Sequence, residues 1–186
     1  MERTDVLLSS GAYVKAVTNI SENVAGKYIL PSLREAQEIG LRGILGDTLL
    51  DYLKVLVAAG TLDDEGNEAY AALVDRCQYY LAYSTVAAVI PKVTWKVGNF
   101  GLTRSSDENL QPASLDEMDK AITYYQSKAD ACCLDLQNWL LNNRSSFPQL
   151  TAGAAHRIHD NLYSAASCGI FLGGPRGKGR PKKCGR

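Results

Sequence analysis

From Ser114 onward the apolar positions fall on a single stripe. Leu115, Met118, Ile122, Tyr125, Ala129, Cys132, Leu136 and Trp139 recur three or four residues apart, the spacing that lines one face of an α-helix. Ser114-Leu-Asp-Glu117 heads the stripe as a capping box, with the Glu placed to reach back to the N-cap amide. Asn142-Asn143 and Ser145-Ser146-Phe147-Pro148 close it. The pattern predicts a helix of about seven turns, the spine of the fold, buried against helices 31–45 and 67–90.

Upstream, residues 31–45 place Leu33, Ala36, Gln37, Ile39, Gly40, Ile44 and Leu45 at near-helical spacing, with Pro31 at the expected start, where a missing N–H costs little. Gly46 breaks the run, Asp47 suits the N-cap of a second helix, and Gly60 suits its end. This reads as a helical hairpin with a tight elbow. Residues 67–90 predict a third helix, apolar around most of its girth and closed by Pro91. The period then changes. Val93, Trp95 and Val97 alternate with Thr94 and Lys96, and Gly98-Asn99 and Gly101 supply turn residues, so a β-hairpin is expected at about 92–104. Trp95, Phe100 and Leu102 carry more apolar surface than a lone two-stranded element can bury, which makes them candidate interface residues.

The fold class expected is mainly α: a helical bundle with one long C-terminal helix, a small β-hairpin excursion and an extended C-terminal arm. Residues 1–150 form the helical domain, 151–172 a short helix (about 153–166) with the apolar anchor Ile170, Phe171 and Leu172, and 173–186 a basic tail.

Charge sharpens the picture of that tail. The 186 residues balance 20 Lys and Arg against 20 Asp and Glu, but residues 173–186 hold six of the bases and no acid, so residues 1–172 carry 14 against 20, a net of −6. An acidic body bears a basic appendage rich in Gly and Pro. No window approaches the roughly 18 apolar residues of a membrane span, and the chain reads as soluble and cytosolic. Five cysteines without a CxxC pair read as reduced core-fillers.

Candidate chemistry is sparse. His156 and His159 would share a helix face, but they are the only two histidines and lack a third ligand or an HExxH frame. Asp63-Asp64-Glu65 and Asp116-Glu117 lie where acids serve a turn and a helix start. GGPRGKG lacks the spacing of a phosphate-binding loop. No catalytic, cofactor or metal site is read, and the chain is expected not to be an enzyme. The tail offers two readings. Lys178-Gly179-Arg180-Pro181-Lys182-Lys183 is close to an AT-hook, with Lys178 where the first core arginine is expected. Alternatively, Ile170, Phe171 and Leu172 anchor an arm whose Arg176, Lys178, Arg180, Lys182, Lys183 and Arg186 pair with an acidic protein surface.

The order of elements, with the excursion KVTWKVGNFGLTRSSDENLQPAS, the long helix DEMDKAITYYQSKADACCLDLQNWLLNN and the segment from FPQL to GIFLGG, resembles the head-to-tail connector (adaptor) proteins of tailed bacteriophages, of the kind carried by crAss-like phages of Bacteroidetes hosts. The resemblance spans about residues 25–175. It implies a cofactor-free virion protein of the neck, assembled in the host cytoplasm as a ring of twelve copies. Its implied partners are the portal and a downstream neck or tail protein, with DNA passing through the channel without sequence-specific binding and no membrane involved.

Overall fold

The computed structural model describes residues 6–98, 101–104 and 114–150, with backbone alone for 96–98 and 101–104. The described chain is mainly helical: α1 (Gly11–Val17), α2 (Gly26–Glu35), a π-helical segment (Ala36–Leu41), α3 (Arg42–Leu45), α4 (Asp47–Ala59), α5 (Glu68–Thr94) and α6 (Leu115–Asn142). Strands β1 (Trp95–Gly98) and β2 (Gly101–Arg104) pair antiparallel, with Trp95 opposite Arg104 and Val97 opposite Leu102.

The centre of the fold is α5 rather than α6. Its buried residues, among them Leu73, Val74, Cys77, Leu81, Ala82 and Val86, point to several sides of the helix, as expected of a helix apolar all round. It packs against α1, α2, the π segment and α6. The long helix α6 lies along α5 and buries Met118, Ala129, Leu136, Gln137 and Leu140. Its expected stripe shifts towards the C-terminus: Leu140 is buried where Trp139 is only partly so, Ile122 is partly exposed, and Leu115 is 58% exposed. The capping box forms, with Ser114 Oγ accepting from Glu117 N at 3.2 Å and Ser114 N donating to Glu117 Oε2 at 2.8 Å.

Both prolines expected to bound helices lie inside them. α2 begins at Gly26, five residues before Pro31. Pro31 is exposed, so the carbonyl left without its N–H partner is open to solvent and the helix survives. α5 runs through Pro91 to Thr94, which takes residues 92–94 out of the expected hairpin. Tertiary bonds account for the extra turn: Lys92 Nζ donates to Ser32 Oγ (2.9 Å) and Glu35 Oε2 (2.6 Å), tying the end of α5 to α2. Sequence propensity near a proline yields here to packing.

The elbow sits at Gly46, φ 79°, and α4 ends at Gly60 in the left-handed region, φ 70°. Gly46 itself, not Asp47, occupies the N-cap position. Below α6 the chain turns back: Phe147 is fully buried against the Tyr70 and Trp139 rings, centroids 5.4 and 5.7 Å away, and Leu150 is buried beside it.

The π segment has two visible causes. Gln37, buried at 1% exposure, turns its amide on the irregular stretch before α1: Leu8 N donates to Gln37 Oε1 (2.8 Å) and Gln37 Nε2 donates to Val6 O (3.0 Å). Gln78 Nε2 donates to Leu8 O at 3.0 Å. Two side-chain amides thus satisfy backbone groups of residues 6–8 that no helix or sheet pairs. Gly40, meanwhile, admits the Tyr80 hydroxyl: a Cβ there would stand 2.1 Å from that oxygen and 3.1 Å from Cζ. Gly40→Ala is therefore expected to destabilise the fold by about 1–3 kcal/mol. In a Tyr80→Phe background, where the oxygen is gone, the same substitution should cost less than half as much by urea denaturation. Equal costs in both backgrounds would refute the contact.

Candidate interaction surfaces

Around the elbow, five charged side chains brace α3 to α4. Arg42 bonds Glu38 Oε2 (2.6 Å), Asp47 Oδ1 (2.8 Å) and Asp51 Oδ1 (3.4 Å), and Lys54 donates to the other Glu38 oxygen. Partial burial would raise the Glu38 pKa, but hydrogen bonds from Lys54, Arg42 and Gln37 outweigh it and hold the group at about 2, below its ordinary 4.5. The Arg42 pKa is raised, chiefly by Asp47 and then Glu38. Because the folded pKa of Glu38 is depressed, its contribution is present above pH 4.5 and is lost as pH falls towards 2. The gap in urea midpoint between wild type and Glu38→Gln should close across that window; a gap independent of pH would remove Glu38 from the brace.

On one side of α5 two hollows adjoin. The larger, about 600 Å³, lies between α5 and α6 and is lined by Ala72, Asp75, Tyr79, Ala131, Cys132 and Asp135. The second shares Ala72 and Asp75 and continues over Leu62, Asp63, Asp64 and Glu68. Their floor is apolar and their rim acidic. Arg76, on the same rim, bonds Asp135 at 2.7 Å and lies 5.1 Å from the centre of the Trp139 ring. Tyr79 is 49% exposed and meets Tyr13 edge-on at 6.2 Å. Burial, then Tyr79, pushes the Tyr13 hydroxyl up to about 12, so the Tyr13 phenol stays neutral.

Half a turn round α5, a furrow runs past Ala36, Gly40, Ser84 and Ala88 with Glu35 at its edge, and beyond Ser84 and Ala88 over Tyr80, Ala87, Pro91, Ile122, Gln126 and Asp130. Beside it stands Ile39, 72% exposed and the most exposed large apolar residue among those described. Sequence spacing placed Ile39 in the core. The π segment shifts the helical register, so that Leu41 is buried instead, while Ile44 stays buried as expected.

Nothing among the described residues is arranged as a metal site, and no described helix is long and apolar enough to cross a membrane. Burial raises the pKa of Cys77, and that of Cys133 to about 11 with help from Asp130, so these free thiols are held protonated rather than primed as nucleophiles. Of the hairpin candidates, Trp95 is partly buried at the start of β1, Leu102 is placed by its backbone opposite Val97, and Phe100 lies outside the described residues. So do His156, His159 and all of Ile170, Phe171, Leu172, Arg176, Lys178, Arg180, Lys182, Lys183 and Arg186. The hollows and the exposure of Ile39 went unread in the sequence. A signal existed for the first: Glu68, Ala72, Asp75 and Tyr79 follow at spacings of four, three and four, one helix face joining acids to an exposed aromatic.

A family model of unknown function, DUF6712, matches residues 41–157, well over half of the chain. The chain belongs to that family. No curated protein and no solved structure matches it. The DUF6712 match takes in α3 to α6, and with them the hollows between α5 and α6; the Ile39 position and the basic tail fall outside its limits.

Proposed function

We propose that this DUF6712 chain is a structural subunit of a virion: one copy in a ring that joins the portal to the neck or tail and encloses part of the DNA channel. In this reading the β1–β2 hairpin is an excursion that touches a neighbour, and residues 173–186 form an extended arm reaching the portal or another ring. The observation that carries it is the exposed Ile39 on the lip of the furrow between the π segment and α5, an apolar edge suited to cover by a neighbouring copy. The acidic body supports it, since a negative wall lets DNA slide without the phosphate contacts that make binding tight.

The test is truncation after Leu172, followed by native mass measurement and by pull-down with the portal of the same virus. The truncated chain should keep its helical content and the copy number of its ring but lose the portal, because the arm's arginines offer bidentate pairs to carboxylates that nothing else replaces. If truncated rings still join the portal and only retention of A/T-rich DNA falls, the tail reads the minor groove and the chain is a DNA-binding protein. A full-length chain that stays monomeric with and without portal would end the ring reading.

A further inference from the structure

We propose that the two adjoining hollows on the Tyr79 side of α5 are the docking site of the chain's own C-terminal arm, residues 170–186, in the free protein. Charge is the first reason. No Lys or Arg occurs from residue 55 to 75, and Asp63, Asp64, Glu65, Glu68 and Asp75 are exposed along that stretch. Among the described residues none of these five forms an ion pair, and the neighbouring Arg76 is already committed to Asp135 and the Trp139 ring. The arm supplies the complement: six bases and no acid in residues 173–186, preceded by the apolar Ile170, Phe171 and Leu172. The floor suits that triplet, for Ala71, Ala72, Tyr79 and Ala131 leave an open apolar surface between the helices.

Connection is the second reason. The described chain ends at Leu150, buried next to Gln149, whose Oε1 accepts from the Tyr70 hydroxyl at 2.9 Å. Tyr70 lies nine residues before Tyr79 on α5, half a turn round the helix from it, so the chain leaves Leu150 on the far side of α5 and passes round one helix to reach the hollows. Residues 151–169 could span roughly 60 Å if extended, and the distance to cover is on the order of one helix diameter, about 10 Å. A tether of that length gives an effective concentration in the millimolar range, which favours the chain's own groove over that of a second copy. The glycines of the arm allow close approach to the alanine floor and its prolines keep it extended. Tyr79 and Ala88 lie on opposite sides of α5, nine residues apart, so the seated arm leaves the Ile39 furrow uncovered. A portal surface would then have to outcompete the body for the same six cations.

A carbodiimide cross-linking experiment on the full chain tests this without reference to rings. A mixture of ¹⁵N-labelled and unlabelled protein is treated at low salt and the joined peptides are mapped by mass. Lys178, Lys182 and Lys183 should join Asp63, Asp64, Glu65, Glu68 or Asp75 within one isotopic species, and 0.5 M NaCl should abolish the products, since screening at that ionic strength reaches within a few ångströms. In Asp63→Asn/Asp64→Asn/Asp75→Asn protein, links to the untouched Glu65 and Glu68 should fall roughly tenfold. Links that join labelled to unlabelled chains would assign the arm to a second copy and overturn the proposal. So would links spread equally over Asp116, Glu117 and Asp119 at the far end of α6. The Ile39 furrow is absent from every arm of this experiment, so its failure leaves the ring reading standing.

Discussion

Leu136→Asp gives no folded protein. Leu136 is fully buried on the face of α6 that meets α5, and a carboxylate there would lose its hydration with no cation within the apolar cluster to pair it. An unpaired buried charge costs several kcal/mol. The cavity left by the lost leucine adds the 2–5 kcal/mol of a large-to-small change. A domain of this size has about 5–15 kcal/mol in total, so the sum consumes most or all of it. Leu136→Ala, carrying the cavity term alone, should fold with a lowered melting temperature, and Leu134→Asp should melt within a few degrees of wild type, because Leu134 is 38% exposed on the same helix two residues away. Circular dichroism decides between these outcomes. A cooperative, fully helical Leu136→Asp protein would mean that α6 presents another face. Ile122→Asp is expected to be milder, since Ile122 borders the open furrow.

Periodicity and caps made most helices legible. The capping box at Ser114, the stop at Asn142, the break at Gly46 and the end at Gly60 each rest on a local chemical cause acting within one turn. What stayed hidden depends on partners far along the chain. Nothing near Pro91 says that Lys92 will find Glu35 and Ser32 and draw α5 onward by another turn. Nothing near Gln37 says that residues 6–8 will need its amide, nor near Gly40 that a tyrosine hydroxyl will lie where a Cβ would stand. The π segment follows from those long-range demands. Its extra residue rotates Ile39 outward, so the surface that carries the proposed assembly was read as core. The acidic hollows were missed for another reason: each acid on its own has an ordinary solvent-facing explanation, and only the packing of α6 on α5 places an apolar floor beside them.

Ile39→Asp leaves the subunit folded and abolishes assembly. At 72% exposure the side chain contributes little to the monomer, and exposed substitutions of this kind change stability by only about 0.5 kcal/mol. Between copies the balance reverses. Burying an isoleucine against a neighbouring copy gains roughly 1.5–3 kcal/mol, whereas an aspartate would lose that gain and bring an unpaired carboxylate into the contact. A swing of about 3 kcal/mol per contact is roughly a hundredfold in dissociation constant, and a closed ring repeats the contact at every interface, so the loss should be complete at micromolar protein. Val55→Asp, on α4 at 63% exposure and away from the furrow, is the matched control and should assemble as wild type. Native mass spectrometry with circular dichroism on the three proteins separates folding from assembly. If Ile39→Asp rings form with wild-type mass, the furrow beside Gly40 and Ala88 is not the subunit contact, and the observation supporting a ring-forming structural role is lost.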